Sequence, residues 1–96
     1  MAETPIKVRH LAEGDTVRMH GMAPGCGTVL ELRRPTDAEI ADYRRIRHMT
    51  ASQPHGPLMH VTIHWPTRRR PGATEWGLTS GYTFADGSSL LLVTDD

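Results

Sequence analysis

The sequence holds one cysteine, Cys26, and that scarcity sets the first limits. No disulfide can close within the chain, so a reducing, cytoplasmic setting is the simplest expectation. Long hydrophobic runs are missing as well. The stretch Leu90-Leu91-Leu92-Val93 is far short of the roughly 20 apolar residues that cross a bilayer, so no membrane contact is expected. The first residues, Met-Ala-Glu-Thr-Pro, lack the basic and apolar regions of a secretion signal. Aromatic residues make up only 5%, too few to suggest a broad base-stacking platform. Net charge is zero, which argues against wholesale nucleic-acid binding.

What is present is arginine, unevenly placed. Lys7 is the lone lysine among eleven basic residues. Residues 33–70 carry eight arginines against Asp37, Glu39 and Asp42, whereas residues 71–96 carry only the acids Glu75, Asp86, Asp95 and Asp96. Local charge in the basic middle, rather than net charge, should therefore select a partner.

The 96 residues suit one domain with one core. Alternation and turn residues predict short strands: Ile6–Arg9, Thr16–His20, Thr28–Leu32, Leu58–Trp65, one around Thr74–Leu78, and a final hairpin. That hairpin joins Tyr82–Phe84 to Ser89–Thr94 through the turn dipeptide Asp86-Gly87. Leu58–Trp65 alternates most clearly, with Met59, Val61, Ile63 and Trp65 on one face and His60, Thr62 and His64 on the other. One helix is expected over about 37–49. Thr36 followed by Glu39 makes a capping box, the first turn is acidic, and Arg44, Arg45, Arg47 and His48 suit its C-terminal end. Its stripe of Ile40, Tyr43 and Ile46 should cover Leu91 or Val93 on the last strand.

The fold class expected is mainly β: a small barrel of five to seven short strands spanning 1–96, with a helix-containing insertion at 33–57. The stretch Gly14-Asp15-Thr16-Val17, then Gly21, then Gly27-Thr28-Val29, resembles SH3-like barrels of the KOW type. There, Gly-Asp-x-Val begins one strand and Gly-x-Val the next. With Trp65 ending a later strand, the chain also resembles small SH3-like domains of actinobacterial proteins. The resemblance implies a barrel that binds protein, peptide or nucleic acid through loops and edge strands. The arginine-rich chain further looks like an accessory protein of an actinobacterial phage that engages a host macromolecule.

Candidate chemistry is sparse. His60 and His64 share a strand face but lie roughly 13 Å apart, too far to hold one zinc ion. No spacing brings His10, His20 or His55 to them, so neither metal nor cofactor is expected. Ser88 and Ser89 have no nucleophile-elbow context, Asp95 and Asp96 close the chain, and Cys26 has no base beside it in sequence. The reading is of a non-enzymatic binding module, monomeric or homodimeric, that engages a protein partner. Its candidate contact residues are Arg44, Arg45 and Arg47 on the helix, Arg68, Arg69 and Arg70 in the loop 66–72, and Trp76 just beyond it. The alternative is nucleic-acid binding through those same arginine clusters, if the helix packs beside the loop.

Overall fold

A computed structural model describes residues 2–20 and 25–94. The chain is mainly β, with strands β1 (Ala2–Lys7), β2 (Thr16–Arg18), β3 (Gly27–Arg33), β4 (Leu58–Trp65), β5 (Leu78–Ala85) and β6 (Ser89–Thr94). A short 3-10 turn, Val8–His10, follows β1, and one helix, α1 (Asp37–Ile46), lies between β3 and β4. The six strands form one antiparallel sheet in the order β1-β6-β2-β3-β4-β5.

The core follows from alternation along β4. Val61, Ile63 and Trp65 are fully buried and pack with Val8, Val17, Val29 and Leu90. Gly27 is required where β3 crosses this cluster, because a side chain there would collide with Ile63 and the Trp65 ring. Leu30 has no partner opposite, since pairing passes from Val29↔Ile63 to Glu31↔Thr62. This bulge leaves Leu30 exposed and returns Leu32 to the core side.

The Gly-Asp-x-Val stretch does structural work. Gly14 adopts φ 91° and donates its N–H to Val29 O at 2.7 Å. The Asp15 carboxylate accepts from Ala12 N at 2.8 Å, and Asp15 O accepts from Val29 N at 2.8 Å. The turn thereby locks β2 beside β3.

Three expectations are corrected. Asp86-Gly87 does make a turn, but the strands on either side do not pair with each other. β5 is a sheet edge, whereas β6 lies four strand positions away between β1 and β2. In a flat sheet that separation is roughly 19 Å, whereas the step from Ala85 to Ser89 spans at most about 14 Å. The sheet must therefore curl. Val8 N donates to Ser88 O and Arg9 N to Asp86 O, which ties the end of β1 to that connection.

Second, the strand expected around Thr74–Leu78 begins only at Leu78. Third, α1 ends at Ile46 rather than near 49, and it packs on β5 instead of covering Leu91 or Val93 on β6. Its stop is a Schellman-type closure with His48 at φ 55°. His48 N donates to Arg45 O at 3.2 Å and Met49 N to Arg44 O at 2.9 Å. Histidine occupies the place where glycine would have announced the end.

Candidate functional site: the edge of β5 and the cleft beneath α1

The capping box at the start of α1 carries more than the helix terminus. Glu39 N donates to Thr36 Oγ1 at 3.2 Å, and Thr36 N donates to Glu39 Oε1 at 2.8 Å. The same carboxylate receives a two-pronged bond from Arg33 on β3, with Nη1 to Oε1 at 2.7 Å and Nη2 to Oε2 at 2.9 Å. The Arg33 guanidinium, helped by the Thr36 amide, pulls the Glu39 carboxyl from the ordinary 4.5 down to about 2. Glu39 in turn raises the already high pKa of Arg33.

His60 completes the joint. Its Nδ1 lies 3.0 Å from Thr83 Oγ1 on β5 and 3.2 Å from Glu39 Oε2. Burial lowers its pKa, and Arg33 lowers it further against the pull of Glu39 and Glu31. The lowering favours the neutral ring, whose Nδ1 shares a hydrogen bond with Thr83 Oγ1 and lies close to the Glu39 carboxylate. The other side of the ring rests on Gly81, where a Cβ would sit 2.5 Å from Nε2. β3, α1, β4 and β5 thus meet at one polar cluster.

Beyond this cluster, α1 and β5 enclose a cleft of about 520 Å³. Its walls include Tyr43 and Ile46 from the helix and Tyr82 and Phe84 from the strand. Tyr82 and Phe84 stack at 5.8 Å, and Tyr82 meets Trp65 edge-on at 6.5 Å while accepting its indole N–H at 2.9 Å. The aromatic wall is therefore anchored in the core. At the rim, the Arg47 guanidinium lies 4.3 Å over the Tyr43 ring. A second hollow of about 300 Å³ lies at the opposite end of β5, lined by Arg70, Glu75, Leu78 and Thr79 among others.

Between the two hollows runs the free edge of β5. Asp86 N donates to Pro57 O, which identifies Pro57 and Asp86 as a hydrogen-bonded pair in the β4–β5 register. Counting back in twos, Leu78, Ser80, Tyr82 and Phe84 bond to β4. The N–H and C=O groups of Thr79, Gly81 and Thr83 then point away from it. No charge and no proline interrupts the eight residues of β5. The other edge, β1, carries Pro5 and the exposed charges Glu3 and Lys7, devices that blunt an edge against pairing.

The sequence candidates divide between the two ends of this edge. Arg44 is tied to Thr50 O at 3.0 Å and Gln53 O at 2.7 Å, and Arg45 to Asp42 at 3.2 Å. Arg68 stacks on the Trp65 ring at 4.1 Å. Arg44 and Arg68 brace the fold, whereas Arg45 and Asp42 form an exposed pair on the helix surface. Arg47 lines the α1 cleft and Arg70 the far hollow, while Arg69 lies 5.0 Å over Trp76, which is 67% exposed.

Glu39, Gly81 and Phe84 were not singled out from sequence as site residues. The capping box was the one legible signal, and it pointed only to a helix start. His60 and His64 each bond to the threonine across the ladder, Thr83 and Thr79. Among the described residues, no three His, Cys, Asp or Glu side chains converge as metal ligands. Cys26 is half-buried. Asp95, Asp96 and residues 21–24 of the glycine loop lie outside the described residues. No described helix is long and apolar enough to cross a membrane.

Fold and site together define a small mainly-β protein with one unguarded strand edge flanked by two hollows. No protein-family model matches the chain, and no curated protein or solved structure is significantly similar to it.

Proposed function

We propose that this protein is a non-enzymatic recognition module that takes an extended segment of a protein partner as an added strand along β5. One observation carries the reading. The outward backbone groups of Thr79, Gly81 and Thr83 run between two side-chain hollows on the one edge that has neither charge nor proline. Strand addition draws affinity from main-chain hydrogen bonds and specificity from pockets for alternate side chains, and both elements are present here. The cleft beneath α1 would take an apolar or aromatic side chain against Tyr43, Tyr82 and Phe84.

The strand order, with β6 returning between β1 and β2, suits the SH3-like barrel that the Gly-Asp-x-Val stretch resembles. The single cysteine suits a cytoplasmic setting, where an accessory protein of phage or bacterial origin would meet its partner. Protein is favoured over nucleic acid because Arg33, Arg44 and Arg68 are engaged within the fold.

The test uses a random decapeptide display library panned against the protein. A synthetic binder should lose affinity for Thr79→Pro, which removes an outward N–H but no ladder bond to β4. Circular dichroism and thermal melting establish that the variant folds. Undiminished binding to folded Thr79→Pro would refute the reading.

A further inference from the structure

The edge of β5 is complementary to itself. Its outward residues, Thr79, Gly81 and Thr83, are spaced evenly about Gly81. Two copies of the strand, laid antiparallel about a two-fold axis at Gly81, set Gly81 opposite Gly81 and Thr79 opposite Thr83. Each of these residues then donates its N–H and accepts at its C=O, so every outward backbone group finds a partner. The same register puts Leu78 beside Phe84 at a position without ladder bonds, where cross-strand side chains lie closest.

What is exposed at one end of the strand fits what is open at the other. Ile46 and Trp76 are 66% and 67% exposed. Ile46 lines the cleft beneath α1, which opens beside Tyr82 and Phe84 at the C-terminal end of β5. Trp76 lies two residues before Leu78, at the N-terminal end. Within one chain the two are separated by the length of the strand. Antiparallel pairing carries the Trp76 of each copy to the cleft of the other. Charge follows the same pattern. Arg47 lines the cleft and Glu75 the far hollow. Among the described residues, neither forms an ion pair. The pairing brings the Arg47 end of each copy to the Glu75 end of the other.

Resting on the strand-addition reading above, we propose that β5 pairs with the β5 of a second copy of this chain when no partner segment is bound. Trp76 of each copy docks against Tyr43, Ile46 and Phe84 of the other, and Arg47 faces Glu75 at both ends. The second copy and a partner segment compete for the same backbone groups, so self-pairing sets the affinity that a partner must exceed. A short strand with one tryptophan anchor per copy is at the small end of specific interfaces, so the dimer is transient and the dilute chain is a monomer. Assembly stops at two copies, because the opposite sheet edge, β1, is blunted by Pro5, Glu3 and Lys7.

Sedimentation equilibrium over a concentration series tests the pairing. The wild type should pass from the mass of one chain to that of two as concentration rises. Trp76→Ala removes the anchor twice and should weaken association about tenfold or more. Arg47→Glu and Glu75→Arg should each weaken it about three- to tenfold, an effect that shrinks as salt rises. Mixed in equal amounts, those two variants should associate as tightly as the wild type, because opposite charges then face each other at both ends. Circular dichroism and thermal melting establish that each variant folds. A saturating library-selected peptide should return the wild-type dimer to peptide-bound monomer.

A chain that stays monomeric throughout would overturn self-pairing, and so would a dimer indifferent to Trp76→Ala and to mixing the charge variants. Strand addition would still stand if the selected peptide binds and Thr79→Pro abolishes that binding. A peptide that binds without dispersing the dimer would overturn the shared edge. Peptide binding that survives folded Thr79→Pro would overturn both readings.

Discussion

Gly81→Ala is the smallest perturbation that reaches the polar joint without touching a charged residue. A Cβ at position 81 would lie 2.5 Å from His60 Nε2 and 2.9 Å from Cε1. Carbon contacts relax near 3.5 Å, so the ring must retreat by about 1 Å. The ring cannot do so freely, because Nδ1 is held at 3.0 Å by Thr83 and 3.2 Å by Glu39. Retreat breaks the bond to Thr83 and leaves a buried ring nitrogen unpaired, at a cost of about 1–3 kcal/mol. Restricting the unfolded chain returns about 0.4–1 kcal/mol. The net expectation is a loss of about 1–2 kcal/mol, with a fall in Tm of about 4–8 °C for each kcal/mol.

Urea denaturation at pH 7 gives the energy directly, and an unchanged m value would show that the native fold is retained. The decisive comparison repeats the substitution in a His60→Ala background. There the obstructing ring is gone, so Gly81→Ala should be neutral or slightly stabilising. An equal loss in both backgrounds, or no loss in the wild type, would refute the placement of His60 against Gly81.

Other expectations follow from the same contacts. Gly27→Ala should cost about 1–3 kcal/mol in urea denaturation, because its Cβ meets the Trp65 ring carbon Cε3 at 2.7 Å within a filled core. Tyr82→Phe removes the acceptor of the Trp65 indole N–H and should cost about 1–3 kcal/mol by the same measurement. Acid should destabilise the protein through two groups of the same sign. His60 has a folded pKa below its ordinary 6.5, so its contribution is present above 6.5 and declines as pH falls further. Glu39 contributes fully above 4.5 and loses that contribution as pH falls toward about 2. In melts across this range, Glu39→Gln should abolish the decline between about 4.5 and 2 that belongs to Glu39 and leave the higher phase in place.

The parts of the fold legible in the sequence are those written in local chemistry. Leu58–Trp65 alternates without interruption and follows Pro57, and both its ends agree with expectation. Thr36 and Glu39 mark the start of α1 to the residue. The helix end was hidden because His48, rather than glycine, takes the left-handed position. The start of β5 was hidden because Thr79 to Gly81 is small and polar, with no apolar alternation.

The expected last hairpin failed for a different reason. Asp86-Gly87 makes a local turn, but the curl of the whole sheet decides which strands lie beside it. The site was less legible still. Arg33, Glu39, His60 and Gly81 come from four separate elements, and no spacing in one element brings them together. The exposed arginines were visible as a group. Their division between structural braces and free rim charges depends on contacts made after folding, as with Arg44 at Thr50 O and Arg68 on Trp65.

Amide hydrogen exchange along β5 tests the central claim most directly. In the free monomer, the Thr79, Gly81 and Thr83 amides should exchange fast while Leu78, Ser80, Tyr82 and Phe84 exchange slowly. A saturating library-selected peptide should protect Thr79, Gly81 and Thr83 and leave the slow set unchanged. Protection of those three amides would establish strand addition at β5. A bound peptide that leaves them exchanging freely would contradict it.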